Sequence, residues 1–344
     1  MKLSIIIPVY NEINFLDKFT KDLVDSFKSE NAEFIFVNDG SHDGSAEWLL
    51  NYVNKNKSNK DNINYLLVNS PKNYGKGSAL QKGLKVATGD YMLFQDSDME
   101  LDTRDSKEMY DLIKNNTEMK VLFGSRFSSG KLRANKNFIN GVVARVNSII
   151  FNILFSQSIT DLHCGTKIIS KEIIDKIKLT IKDFGIEIDI ASQITKNNYQ
   201  IYEYGISYFS RTKKQGKKIT WFDGILSYYY LFKTRFIDND ISIILSIIYT
   251  ISYMVFIGSY FGMGIGKVMA IIFFIIVGCF LGLYNKLFSS SLILLSIYFG
   301  SLFSKGNGKI YTVLIGFILG IFIAKNLSKK IHLMTNNKFI KFFV

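Results

Sequence analysis

Through its first hundred residues the chain alternates short β-branched runs with longer amphipathic ones, and this alternation limits its fold more than any other feature. "LSIIIPVY", "AEFIFVNDGS", "NINYLLVNS" and "GDYMLFQDSD" read as strands. Between them the pattern predicts a helix from about Asn14 to Ser29. A second helix lies in "DGSAEWLLNYVNKN", with Asp43 or Ser45 as its N-cap, and a third lies in "GKGSALQKGLKVAT", opened by glycines. Strands alternating with helices predict an α/β, Rossmann-like, doubly wound parallel sheet. Ligands bind such sheets outside the carboxyl ends of the strands. Three polar clusters, "YNE", "NDGS" and "DSDME", fall at three such ends.

Beyond residue 101 the pattern loosens. "MKVLFGSRF" reads as a strand and "NYQIYEYGISYF" as an edge or return strand. "FINGVVARVNSIIFNILF" is amphipathic to apolar, as suits a helix lying on a membrane surface. "RTKKQGKKITWFDG" is a basic loop, and "ILSYYYLFKTRF" an aromatic helix ending in basic residues, suited to a headgroup layer.

Charge nearly vanishes from Ile241 to Ala324, where four apolar runs stand at 241–261, 268–284, 288–303 and 309–325. Each is near the roughly 20 residues a helix needs to cross a bilayer. None has the polar face of a soluble helix. The expected organisation is a catalytic domain over 1–236, juxtamembrane from about 212, then an all-α transmembrane domain of about four helices over 237–344. Lys233 and Arg235 precede the first run, and Lys325, Lys329, Lys330, Lys338 and Lys341 follow the last. An even number of spans puts both clusters on the cytoplasmic side, although Lys305 and Lys309 would then face outward. "MKLSIIIPVYNE" does not read as a signal peptide. The expectation is an integral protein of the plasma (inner) membrane with a cytoplasmic catalytic domain. Two cysteines, Cys164 and Cys279, make no disulfide framework. The net charge of +13 suits anionic lipid or an anionic substrate. No nucleic-acid module is legible, so nucleic acid is not expected as a partner. A homo-oligomer is left open.

The "DSD" stretch carries the chemistry. On a strand, residues i and i+2 share a face, so Asp96 and Asp98 would converge, with Glu100 as a third member. Converging carboxylates repel unless a cation lies between them, and Mg2+ or Mn2+ would also hold a nucleotide diphosphate as leaving group. An isolated D-x-D also fits a solvated acidic turn. Tyr10 in "PVYNE" suits packing near a base, and Asp39 in "VNDGS" suits a base or ribose hydroxyl; ordinary turn chemistry explains either as well. "NYGKGSAL" resembles a phosphate cradle without P-loop spacing, and leaves Lys76 either beside the nucleotide or on turn surface. Candidates to hold an anionic acceptor are Arg126, Arg133, Arg145, Lys167, Arg211, Lys217 and Lys218, with Arg126 and Arg211 foremost. His163 and Cys164 supply too few ligands for zinc and read as structural or pocket-wall residues.

Taken in order, "SIIIPVYNE", "VNDGSHDGS", "NYGKGSALQKGLKVATGDYMLFQDSDMEL", "GSRF", "DLHCGTKIIS", "FGIEIDI" and "RTKKQGKKITWFDG" resemble family 2 glycosyltransferases of the polyprenyl-phosphate type, the group of the dolichyl-phosphate mannose and glucose synthases. The resemblance covers about residues 1–236. It implies a GT-A fold and inverting transfer from a nucleotide sugar to a polyprenyl phosphate. It assigns Pro8, Tyr10, Glu12, Asn38, Asp39, Lys76, Asp96 and Asp98 to the nucleotide sugar. Asp96, Asp98 and Glu100 would hold the metal, and Arg126, Arg133, Arg211 and Lys217 the acceptor phosphate. Asp98, Arg126 and Arg211 would be catalytic. Asn38 stands where the family usually has an acid, and "HCGTK" is closer to the glucose-type branch. A lipid phosphate is already anionic and needs no general base. Transfer to a sugar hydroxyl would need one, for which Glu187 or Asp189 is the candidate. An inactive membrane scaffold is the alternative from another class, and the intact D-x-D speaks against it.

Overall fold

The computed structural model describes residues 1–56, 63–128, 130–136, 138–212, 216, 218 and 221–237. The four runs read as spans, the basic tail and Lys217 lie outside the described residues. The chain divides into two compact units, Met1–Thr234 and Arg235–Val344, and the site lies in the first.

The N-terminal alternation folds as its pattern dictates. β1 (Leu3–Val9), β2 (Ala32–Asn38), β3 (Ile63–Asn69) and β4 (Tyr91–Phe94) are joined in parallel by α1 (Ile13–Phe27), α2 (Ser45–Asn56) and α3 (Lys76–Val86). All seven residues of β2 are buried, as a strand covered on both faces requires. α1 buries Leu16, Phe19, Thr20, Leu23 and Phe27, one helical stripe. The sheet carries an apolar layer on each face. One holds Phe19, Phe36 and Tyr110; the other holds Leu80, Phe151 and Ile190.

α4 (Thr103–Asn115), capped by the Asp102 carboxylate, leads to β5 (Val121–Ser125). There follow β6 (Arg133–Ala134), α5 (Phe138–Phe155), β7 (Lys167–Ser170), α6 (Lys171–Ile174), α7 (Ile186–Lys196), β8 (Tyr202–Gly205), β9 (Tyr208–Phe209) and α8 (Trp221–Phe232). The main sheet has the order β3-β2-β1-β4-β7-β5-β8, and β6 pairs with β9 in a separate ribbon.

The expectation of a wholly parallel sheet is corrected by β7, which runs antiparallel to both β4 and β5. The physical reason is where the chain stands when it re-enters. Lys167, the first residue of β7, pairs with Phe94, the last of β4. The segment after α5 is thus already at the carboxyl ends of the parallel strands, and can enter the sheet only by running backwards. That reversal carries "HCGTK" into the site.

Candidate active site

One cavity of about 440 Å3 lies over the ends of β1, β2 and β4, lined there by Pro8, Tyr10, Asp39, Asp96 and Asp98, with α5 and α8 on its far side. At one end it is acidic. β4 stops at Phe94, earlier than the sequence pattern implied, so strand alternation does not aim the two aspartates. A turn does so instead. The Ser97 hydroxyl donates to the Pro8 carbonyl at 2.9 Å, pinning the turn to the end of β1, and Asp96 and Asp98 flank that anchor.

The carboxylates have separate partners. Lys76 Nζ lies 2.7 Å from Asp96, and Arg211 lies 3.2 Å from Asp98. Burial, then the charges of Asp96 and Glu100, push the Asp98 carboxyl up to about 6 against the pull of Arg211. Lys76 also reaches Glu187 at 2.8 Å, and Glu187 accepts from the fully buried Lys167. Burial opposes the charge on Lys76, but Asp96 and Glu187 hold its ammonium above its usual value. Asp96, Lys76, Glu187 and Lys167 thus form a row of alternating sign. Gly165 makes the row possible, since a Cβ there would overlap the Asp96 carboxylate.

Other expected residues have structural duties. The Asp39 carboxylate accepts from Tyr74 N at 3.0 Å and Gly75 N at 2.8 Å, clamping the turn that launches α3. Gly75 has φ +96, which favours glycine. Asn38 is not brought to the cavity: its amide donates to Asn69 and accepts from Ser41 N. Glu12 lines the cavity but takes Arg211 at 2.8 Å and Lys218 at 2.6 Å. Lys218 also lies 5.3 Å over the Tyr10 ring. Glu100, expected as a third metal ligand, lines the cavity and accepts from Tyr208 Oη at 3.1 Å and Arg211 N at 2.7 Å. It anchors the chain that carries Arg211.

The wall that carries Arg126 and Arg133 is basic, and Tyr208 stands between it and Glu100, with its ring 5.1 Å from the Arg126 guanidinium and its hydroxyl on the Glu100 carboxylate. Arg126 is bidentate to Asp161, Nε at 2.7 Å and Nη2 at 2.8 Å. Burial opposes ionisation of Asp161, but Arg126 holds its carboxyl below the usual range. Arg133, Arg145 and Arg126 surround the Phe127 ring at 4.4, 4.8 and 5.6 Å. Burial and the neighbouring Arg145 and Arg126 draw the Arg133 guanidinium down, and its Nε is buried without a partner. This wall therefore holds more positive than negative charge.

The two candidate bases for a hydroxyl acceptor are occupied. Asp189 is fully buried and accepts from Thr180 N and Ile181 N. Burial would raise Glu187, but Lys167 and Lys76 hold it below its usual range, which makes it a poor base.

Sequence reasoning missed Asn147, and although it named Lys76 and Lys167 it did not foresee that both pair with Glu187. Nothing in the local sequence marks these contacts, because α3, α5, α7 and β7 bring the residues together from distant parts of the chain. Asn147 Nδ2 lies 2.9 Å from His163 Nε2. Burial pushes the His163 imidazole down to about 4, while Asp161 and Glu187 favour its charge and Arg126 and Lys167 oppose it. The folded state resists a proton that the unfolded chain accepts. Stability contributed by the neutral ring is full above about 6.5 and is expected to fall toward pH 4, by at most about 3 kcal/mol. Chemical denaturation of a His163→Gln variant should show that slope reduced; an unchanged slope would place acid sensitivity elsewhere.

Among the described residues no three His, Cys, Asp or Glu side chains close on one point. A divalent cation nevertheless fits the acidic end. Mg2+ is commonly held by one or two carboxylates with substrate phosphates completing the shell, and Asp96 and Asp98 supply that pair. Burial first, and then the neighbouring charges of Asp96 and Glu100, raise the Asp98 carboxyl, and a cation between Asp96 and Asp98 would offset the repulsion.

Residues 4–178 match the glycosyl transferase family 2 model. The chain is 28% identical to a dolichyl-phosphate beta-glucosyltransferase of Dictyostelium discoideum over 63% of its own length and 68% of the relative's. It is 26% identical to a dolichol-phosphate mannosyltransferase of Pyrococcus furiosus, over 64% and 61%. The chain thus spans about two thirds of the length of these relatives. In structure it superposes on glucosyl-3-phosphoglycerate synthase of Mycobacterium tuberculosis with a TM-score of 0.53 at 14% identity, covering 68% of this chain and 80% of that one, a likeness of fold. The matched family model runs from the first strand through the turn that carries both aspartates to the arginine end, and on it the chain belongs to glycosyl transferase family 2, as a glycosyltransferase similar to the dolichyl-phosphate glucose and mannose transferases.

Proposed function

We propose that this glycosyltransferase moves a sugar from a nucleotide-diphosphate sugar to a polyprenyl phosphate at the cytoplasmic face of a membrane, with inversion. The observation that carries this reading is that one cavity is lined both by carboxylates with Lys76 and by Arg126 and Arg133, gathered on Phe127. A donor diphosphate suits the first and an acceptor phosphate the second, with the sugar between. The relatives named for dolichyl phosphate point the same way.

The chain's own groups suffice for most of the work. Arg133 would grip the acceptor phosphate from the cavity wall, Arg145 would add charge from beside the Phe127 ring, outside the cavity lining, and the Arg126–Asp161 pair would give that wall a rigid edge. The phosphate oxygen attacks the anomeric carbon as the bond to the donor diphosphate breaks, so no proton need be removed. This agrees with two committed carboxylates, Glu187 and Asp189, where a hydroxyl acceptor would need a base. Lys76 would offset charge growing on the leaving diphosphate. Asp96 and Asp98 would hold Mg2+ or Mn2+, which supplies further charge neutralisation there when bound. The Mycobacterium synthase has been crystallised with Mn2+ and UDP.

α5 supports a bilayer-surface location. It is 18 residues long and the one described helix apolar and long enough to cross a membrane. Asn140, Ala144 and Asn147 line the cavity from it, while Phe138, Ile139, Val142, Val146, Ile149 and Ile153 are exposed at helical spacing. Tyr228, Tyr229 and Phe232 of the adjoining α8 are exposed as well. A helix that exposes this many apolar side chains, with Arg145 also exposed on it, suits the headgroup boundary.

The test is transfer by the purified full chain from a panel of nucleotide sugars to undecaprenyl phosphate. A glycosylated polyprenyl phosphate is expected, with activity lost to a chelator and restored by Mg2+ or Mn2+. Arg133→Ala should raise KM for the lipid phosphate about 10- to 100-fold, the worth of a charged hydrogen bond, with donor KM little changed. A product formed only on a sugar hydroxyl would overturn the reading.

A further inference from the structure

We propose that His163 reads a hydroxyl of the transferred sugar, and that Asn147 positions its ring for that contact. The inference deepens the proposed transfer reaction and rests on it for the placing of the sugar.

The first ground is position. His163 lines the cavity and lies within electrostatic reach of both charged groups. It feels Asp161 and Arg126 of the basic end, and Glu187 and Lys167 of the row that ends at Asp96. A sugar joined to a diphosphate at one end and attacked by a phosphate from the other must pass this wall.

The second ground is elimination of competing groups. Asp96, Glu187, Lys76 and Lys167 are bound to one another, and Asp161 is bound to Arg126. Among the neutral polar groups that line the cavity, His163 and Asn147 are hydrogen-bonded to each other and stand next to these committed charges. With Asn147 Nδ2 donating to Nε2, the imidazole carries its proton on Nδ1, which has no hydrogen-bond partner among the described residues. The partly exposed ring can therefore present a donor to a ligand.

The third ground is a polar atom left over. Asn147 is 1% exposed, and its Oδ1 is buried without a hydrogen-bond partner. Buried carbonyl groups are almost always paired. An amide that holds His163 with one atom and leaves the other unpaired suits a wall completed by a ligand's hydroxyls. A low proton affinity adds consistency, because burial keeps the imidazole neutral at physiological pH. A neutral ring can read a hydroxyl without favouring a charged ligand.

The test uses the full chain and two readouts. Calorimetry compares UDP-glucose with UDP, and GDP-mannose with GDP. Kinetics compares the better sugar donor with its monodeoxy analogues. The wild-type protein should bind the nucleotide sugar more tightly than the free nucleotide, and should lose about 10- to 100-fold in kcat/KM on one deoxy position. His163→Ala should lower kcat/KM for the parent donor to the level of that deoxy analogue, while leaving the analogue and free-nucleotide binding unchanged. Asn147→Ala should give the same loss in weaker form. His163→Gln, of similar volume, should fold where alanine does not, and should shift which deoxy position matters. A loss shared equally by all donors, or no loss, overturns the proposal. Absence of transfer to polyprenyl phosphate would instead overturn the acceptor reading, and calorimetry on the same variants would still decide the role of His163.

Discussion

Asp98→Asn is expected to lower transfer about 10^2- to 10^3-fold, with the fold intact. The size follows from removing one preorganised group that acts on charge developing in the transition state. The amide keeps the shape of the carboxylate but removes half of the cation-holding pair. Stability should not suffer in proportion. The carboxyl of Asp98 is pushed up to about 6 by burial and by Asp96 and Glu100, so its charge is unfavourably placed in the protein alone. The variant should therefore unfold no earlier than wild type at neutral pH, apart from the loss of a contact to Arg211 at 3.2 Å. Single-turnover assays across a Mg2+ titration, with thermal unfolding on the same samples, separate the two effects. A near wild-type rate would remove Asp98 from the reaction and with it the metal site.

The second large effect concerns Arg126. It was expected to face a substrate phosphate, and the structure instead pairs it with Asp161, whose side chain is fully buried. Arg126→Met would leave that carboxylate without a counter-charge, which typically costs about 3–5 kcal/mol. Removing both charges is a different experiment. Arg126→Met combined with Asp161→Leu should recover most of the lost stability, since an apolar pair of similar volume commonly replaces a buried ion pair without loss. If Arg126 also holds the acceptor, the double variant will be stable yet have a raised KM for polyprenyl phosphate. Transfer that returns in step with stability would restrict Arg126 to shaping the basic end. Denaturation of the full chain in detergent and steady-state kinetics decide between these outcomes.

Much of the architecture could be read before any coordinates, because it is written in local periodicity. β1 to β4 and α1 to α3 stand where the alternation of apolar runs placed them, and the acidic cluster follows β4, although on a turn and not on the continued strand that the D-x-D spacing suggested. What local periodicity does not carry is contact between distant segments. Glu100 has the same chemistry as its neighbours, yet Tyr208 and the Arg211 backbone take both of its oxygens. Asn38 lies in a motif associated with nucleotide contact, but its amide is spent on Asn69 and Ser41. Neither partner is visible from the motif itself.

What the sequence determined alone is the strand–helix order, the placing of polar clusters at strand ends, and the family. These depend on spacing along the chain, and spacing survives without tertiary information. What only the tertiary structure decided is how charge is shared. The backward insertion of β7 carries Lys167 and His163 to the site, α7 adds Glu187, and α5 adds Asn147. Ion pairing and burial act over a few ångströms of space, whatever the separation in sequence. They alone decide which carboxylates are committed, which arginines keep spare charge, and which neutral groups are left to meet a sugar.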